Sequence, residues 1–266
     1  MKLRAVILDW AGTVVDYGSR APVAALQSIF SEAGVPVSVE EARESMGIAK
    51  KAHIRSILEI ARVRGAWASK YGAEPTDRDV DKLYGVFIPN QIQVLADYSE
   101  LIPGVANAVA RMRSRGLKIG TTTGYNRAML DYLLVRAAAQ GFTPDCALCP
   151  GDGGAGRPMP WMCYLAAIRL EVFPMATMVK IGDTPADVQE GRNAGMWTIG
   201  VTLTGNEVGL TEGKWADLSE DEQAGLLRNA ERRLLESGAH YTASSVAECD
   251  TILDQIEERL AAGDKP

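Results

Sequence analysis

Apolar residues recur along the chain in short runs, each ending in polar or glycine residues. They are Ala5-Val6-Ile7-Leu8, Leu117-Lys118-Ile119-Gly120, Met178-Val179-Lys180-Ile181 and Trp197-Thr198-Ile199-Gly200-Val201. Runs of this length predict buried strands. Helical spacing covers the segments between them, notably Val105 to Arg115 and Arg127 to Gln140. Strand and helix in alternation predict the α/β class, with a doubly wound parallel sheet covered on both faces. Ligands of such sheets sit at the carboxyl ends of the strands. Asp9, Thr121 to Thr123 and Asp183 all fall at such ends.

The stretch from Ser19 to Asp97 has a different pattern. Glu, Ala, Arg and Ile recur at helical spacing, and no strand is evident. A crossover within a doubly wound sheet is normally far shorter. The pattern therefore predicts a helical domain over 19–97 inserted into an α/β core made of 1–18 and 98–266. Ile102-Pro103-Gly104 marks the return to that core. The tail predicts a helix near Asp221 to Ser237, a short strand at His240-Tyr241-Thr242 and a last helix from about Ser245.

Composition narrows the partners. The chain has 266 residues, 28 Lys plus Arg and 34 Asp plus Glu, for a formal net charge of −6. A mildly acidic chain without a Lys/Arg block repels phosphate backbones, which argues against a nucleic-acid partner. No apolar run approaches the ~18 residues of a membrane span, and the run after Met1-Lys2-Leu3-Arg4 is too short for a signal-peptide core. The four cysteines, Cys146, Cys149, Cys163 and Cys249, do not form a disulfide scaffold in a chain of this length. The expectation is a cytoplasmic protein with no membrane partner. Cys146 and Cys149 have C-x-x-C spacing but no second pair, and the expectation for them is burial rather than zinc or redox work.

Four stretches carry candidate chemistry. Asp9-Trp10-Ala11-Gly12-Thr13 follows a strand, where a carboxylate can face backbone amides and a metal; an ordinary turn also favours Asp and Gly. Thr121-Thr122-Thr123-Gly124-Tyr125 places a hydroxyl and backbone N–H groups at a strand end, suited to an oxyanion, although Thr favours strands anyway. Arg157, in Gly154-Ala155-Gly156-Arg157-Pro158, could fork onto phosphate oxygens or simply be a solvated loop charge. In Gly182-Asp183-Thr184-Pro185-Ala186-Asp187, Thr184 fits a helix N-cap and Pro185 the first helical position. Service to the helix N-terminus accounts for Asp187 but not for Asp183. Hard oxygen ligands at Asp9 and Asp183 would suit Mg²⁺.

The order of these elements resembles the haloacid-dehalogenase superfamily of aspartate-nucleophile enzymes. The resemblance implies a Rossmann-like core with an inserted helical cap. It implies Asp9 as nucleophile, with Thr123 and Arg157 holding the phosphoryl group. It also gives Mg²⁺ to Asp9, Asp183 and the backbone carbonyl of Ala11. Asp187 joins this metal set as a group orienting water or ligand beside the ion.

One departure changes the chemistry. Phosphatases of the superfamily carry an acid two residues after the nucleophile, where this chain has Ala11, which can neither protonate a leaving alkoxide nor activate water. A carbon leaving group needs an electron sink instead, and a lysine condensed with an aldehyde supplies one. The insert offers Lys50. If Ser45 to His53 is helical, Met46, Lys50 and His53 share one face and Lys51 turns away by ~100°. On periodicity alone, a solvated helix with two ordinary lysines is the better fit. Asp9-Trp10-Ala11-Gly12-Thr13 together with Met46-Gly47-x-x-Lys50-x-x-His53 resembles the phosphonoacetaldehyde hydrolase branch. So do Thr123-Gly124-Tyr125, Gly156-Arg157-Pro158 and Glu190-Gly191-Arg192-Asn193-Ala194-Gly195. Ser19 departs from it, standing where cysteine is frequent, as does the glycine-rich loop Gly151 to Gly154.

The resemblance implies hydrolysis of the P–C bond of phosphonoacetaldehyde through a Lys50 Schiff base and an aspartyl-phosphate on Asp9. Met46 and His53 are expected to shape or serve proton transfer, with Gly124 and Tyr125 lining the substrate pocket. The resemblance further implies a role in phosphonate catabolism and a homodimer formed through the cap. The residues leave two alternatives: a capped phosphate-ester hydrolase, and a catalytically silent module that binds phosphate and Mg²⁺.

Overall fold

The computed structural model describes Met1–Pro266. The elements in chain order are β1 (Ala5–Leu8), α1 (Ala21–Glu32), α2 (Val39–Arg43), α3 (Lys50–Glu59), α4 (Ala61–Tyr71), α5 (Asp77–Leu95), α6 (Val105–Ser114), β2 (Lys118–Thr122) and α7 (Arg127–Ala138). There follow β3 (Cys146–Leu148), α8 (Trp161–Leu170), β4 (Met178–Gly182), α9 (Pro185–Asn193), β5 (Trp197–Val201), α10 (Glu212–Ala216), α11 (Glu220–Glu236), β6 (Tyr241–Ala243) and α12 (Asp250–Ala262).

All six strands are parallel, in the order β3-β2-β1-β4-β5-β6. The chain runs outward from β1 on one side and then returns to start β4 on the other. The strand order therefore reverses between β1 and β4, and a crevice opens there at their carboxyl ends. Leu8 pairs with Thr121 on one side and Ile181 on the other. Asp9 consequently leaves the sheet between the ends of β2 and β4.

The strands are buried because β1 sends alternate side chains to opposite faces. Val6 and Leu8 enter a large core cluster, whereas Ala5 and Ile7 enter a smaller one against α8 with Leu148, Met162 and Cys163. The large cluster runs continuously into the insert, through Leu26, Phe30, Ile54, Ile57 and Phe87. The insert is wholly helical. Within it α1 packs on α5 and α2, and α3 packs on α4 and α5; α5 also touches α7 of the sheet region.

Several expected elements shift. β2 extends through Thr121 and Thr122, whose branched side chains fit a pleated, buried strand. β3 was not expected from the pattern. It is three residues long, too short for periodicity to register, and exists through its pairing with β2. It holds Cys146, and Cys149 follows it; both thiols are free and buried, with burial pushing each up to about 11. α10 was also not expected. No helix of the molecule is long and apolar enough to cross a membrane.

Trp10, next to Asp9, is fully buried and meets Phe142 edge-to-face at 5.7 Å. Phe142→Ala should destabilise the fold by about 3–5 kcal/mol through the lost burial and residual cavity. Urea unfolding with the slope unchanged checks this.

Candidate active site

β1, β2 and β4 deliver Asp9, Thr123 and Asp183 to one crevice, and the loop after β3 brings Arg157 across it. The four line a single cavity together with Ala11, Met46, Lys50, Gly124 and Tyr125. The insert closes it from above. The free space measures about 20 Å³, room for roughly one or two waters.

Arg157 is the hub. Nη2 donates to Asp9 Oδ1 at 2.7 Å and to the Thr122 carbonyl at 2.6 Å. Nη1 lies 2.8 Å from Asp187 Oδ1, and Nε donates to Glu190 Oε2 at 3.0 Å. Nη1 also reaches the carbonyl of Gly47 in the insert at 3.3 Å. Burial by itself would ease the guanidinium's proton off, but Asp187, Asp9 and Glu190 outweigh it and hold the proton well above the usual arginine range. Arg157 is thus buried beside the Asp9 carboxylate rather than a solvated loop charge.

Lys180 and Glu190 were not singled out in advance. Lys180 Nζ donates to Asp187 Oδ1 at 2.8 Å and lies 3.5 Å from Glu190 Oε2, and Thr122 Oγ1 donates to that same oxygen at 2.8 Å. The available signal was a lysine inside an apolar strand, since a buried charge needs partners.

Asp187 lies within the carboxylate cluster where it was expected, and both of its oxygens also have partners. Oδ1 is taken by Lys180 and Arg157, and Oδ2 by the Thr184 hydroxyl. Burial would raise this carboxyl, but Arg157 and Lys180 outweigh it and hold it below the ordinary value. Its geometry is that of a group holding two cations and the N-terminus of α9, where Thr184 caps and Pro185 opens the helix as the sequence predicts.

Asp183 is the opposite case. Oδ2 accepts from the Asn206 backbone N–H at 2.8 Å, while the buried Oδ1 has no partner. Burial, then the charges of Asp9 and Asp187, push its pKa well above the carboxylate range. Asp9 is also raised, by burial first. Carboxylate oxygens of Asp9, Asp183 and Asp187 lie within 4.8 Å of one another. Crowded carboxylates with a free oxygen fit a hard divalent cation. Asp9 and Asp183 are the residues free to hold it, with Ala11 on the same cavity wall.

Lys50 opens α3 and is 5% exposed. Burial, outweighing the nearby carboxylates, lowers its pKa to about 8. Its Nζ lies 3.7 Å from Met46 Sδ and 5.2 Å from the centre of the Tyr125 ring. The helical argument for this group needs correction. Gly47 adopts φ +92°, and residues 44–48 form turns, so Met46 precedes the helix. The turn, rather than a shared helix face, brings its sulfur to the amine. The turn also sits tightly on the core, because a Cβ at Gly124 would fall 2.5 Å from the Ile48 carbonyl oxygen.

His53 lies on α3 but does not line the cavity. Its Nε2 donates to the Ala42 carbonyl at 2.9 Å, its Nδ1 is buried without a partner, and burial lowers its pKa to about 3. Thr123 Oγ1 accepts from the Tyr125 backbone N–H, and the Tyr125 hydroxyl is buried and unpartnered. Lys51 turns outward to an exposed ion pair with Asp81.

The chain resembles known proteins throughout its length. Residues 3–195 match the model of the haloacid dehalogenase-like hydrolases. It is 45% identical to a protein named phosphonoacetaldehyde hydrolase from Paraburkholderia xenovorans over 264 residues, 99% of each chain. It is 47% identical to one of that name from Nitratidesulfovibrio vulgaris, over 99% of this chain and 94% of the relative. The crystal structure of a phosphonoacetaldehyde hydrolase-like protein from Oleispira antarctica superposes with a TM-score of 0.98 at 42% identity, covering 100% of this chain and 96% of the other.

Removing Lys180 leaves Asp187 and Glu190 short of a cation. Lys180→Met should therefore destabilise the protein by about 3–5 kcal/mol. Lys51→Met, which breaks an exposed pair, should cost about 1 kcal/mol or less. Parallel denaturant titrations of the two variants check the contrast.

Proposed function

The chain belongs to the haloacid dehalogenase-like hydrolases, within the family of proteins named phosphonoacetaldehyde hydrolase, and on that premise we propose that it hydrolyses the P–C bond of phosphonoacetaldehyde to acetaldehyde and phosphate. The observation that carries the reading is Lys50, buried over the Asp9 crevice with its pKa lowered to about 8, while position 11 holds no acid.

Lys50 in its neutral form adds to the aldehyde carbon. Loss of water leaves a protonated imine. An oxygen of Asp9 then attacks phosphorus as the P–C bond breaks, and that electron pair moves into the imine to give an enamine. Protonation at carbon and hydrolysis release acetaldehyde and restore the amine. Water cleaves the aspartyl-phosphate and restores Asp9. Arg157 and Thr123 meet the phosphoryl oxygens, where fixed charge and hydrogen bonds lower the barrier. Mg²⁺ held by Asp9, Asp183 and the Ala11 carbonyl would neutralise charge on those oxygens. In this reading Asp187 acts by holding Arg157 and Lys180. Met46 and Tyr125 shape the space around the amine, Gly124 lets the Gly47–Ala49 turn close down, and His53 acts from outside the pocket.

The small cavity supports division into a core (1–18 and 98–266) and a cap (19–97) that must part to admit substrate, with hinges near Gly18 and Ile102-Pro103-Gly104. An apolar groove on the insert, lined by Trp67, Tyr71, Leu83 and Val86, supports a homodimer through the cap. A cytoplasmic location belongs to the same reading.

Borohydride added with phosphonoacetaldehyde should trap an adduct on Lys50 and none on Lys51, read by peptide mass spectrometry. Because the neutral amine reacts, the initial trapping rate should rise about tenfold per pH unit below pH 8 and level off above it. Lys50→Arg should lower turnover by roughly 10³-fold or more. Survival of activity in that variant, with phosphate monoesters preferred, would mean a capped ester hydrolase instead.

A further inference from the structure

We propose that Arg43 is a positioning residue that seats the Lys50 turn on the core and joins it to the loop holding Asp183. Arg43 ends α2, seven residues before Lys50. Its guanidinium crosses to two core segments. Nη2 donates to the carbonyls of Gly18 at 3.0 Å and Gly209 at 3.1 Å. Nη1 donates to Asn206 Oδ1 at 2.8 Å, to the Asn206 carbonyl at 3.2 Å and to the Ser19 carbonyl at 3.4 Å. No carboxylate is bonded to it; oxygens of two loops around a half-buried cation do the holding. Such charge-assisted bonds are stronger than neutral ones, and a planar fork makes them in a fixed geometry that lysine cannot copy.

Both ends of this contact lead to the reacting groups. On the core side, the Asn206 backbone N–H bonds Asp183 Oδ2. On the cap side, His53 Nε2 bonds the carbonyl of Ala42, the residue before Arg43. That bond ties α2 to α3, so the turn between them carries Lys50 as one unit with Arg43. The Gly209 backbone is fitted to the same contact: it adopts φ +69°, and a Cβ there would lie 2.7 Å from Arg43 Cζ. Opening the cap would have to withdraw the guanidinium from the four core oxygens, those of Gly18, Asn206 (two) and Gly209. Rehydration offsets that loss only in part, so the bonds bias the equilibrium toward closure.

The kinetic arm of the test rests on the proposed function; the exchange arm does not. The full chain is prepared as Arg43→Lys and as Gly209→Ala, the second of which evicts the guanidinium without deleting it. Amide hydrogen exchange should quicken about tenfold or more at residues 44–49 and 206–209 in both variants, while β1 and β4 exchange as in the unsubstituted protein. Borohydride trapping at Lys50 should slow and KM for phosphonoacetaldehyde should rise, and the double variant should be no worse than the poorer single one. Unchanged exchange at 44–49, or exchange quickened equally in β1 and β4, overturns the proposal. If the unsubstituted protein fails to turn over phosphonoacetaldehyde, the proposed function falls, and the exchange pattern still decides the role of Arg43.

Discussion

The site depends on a buried imbalance of charge. Asp9, Asp183, Asp187 and Glu190 bring four buried carboxylates together at the strand ends, and Arg157 and Lys180 answer them with two cations. Two negative charges remain when all six are ionised, in a region where uncompensated charge is costly. The surplus is not shared evenly. Asp187 and Glu190 are tied to the cations, whereas Asp183 keeps a bare oxygen beside Asp9. The unpartnered oxygen of Asp183 would accept a divalent cation, beside Asp9, whose other oxygen Arg157 holds.

The same dryness acts on the insert. Lys50 enters this region without an ion-pair partner, so burial lowers its pKa to about 8 although Asp9 and Asp183 pull the other way. A lysine on an open helix would be almost wholly charged at pH 8, where about half of Lys50 is neutral. In the proposed reaction, burial of Lys50 would activate the amine and exclude bulk water together. The tightness of the Gly47–Ala49 turn against Gly124, and the grip of Arg157 on the Gly47 carbonyl, hold the segment before Lys50 on the core.

Ala11 fits this arrangement. An acid there would add a carboxylate to a site already short of cations, and a carbon leaving group has no use for it. In the proposed reaction the insert and the missing acid are two sides of one solution, in which the electrons would leave through an amine supplied from above.

The sequence by itself determined five of the six strands, the parallel sheet and the helical character of the stretch after β1, because apolar runs and helical spacing are local properties. It also placed Asp9, Thr123 and Asp183 at strand ends, where the sheet's geometry makes position in the chain equivalent to position in the crevice. Asp187 was legible as a helix N-terminal residue, since capping is local too. What only the tertiary structure decided is who pairs with whom. Lys180 looked like a strand residue until Asp187 and Glu190 closed on it. Met46 met Lys50 through a turn and not along a helix. His53 turned out to bond Ala42, and Arg43 reached across to Gly18, Asn206 and Gly209. These contacts join residues up to 166 positions apart. No periodicity encodes them, because they exist only once the insert has docked on the sheet and water has been driven from between them.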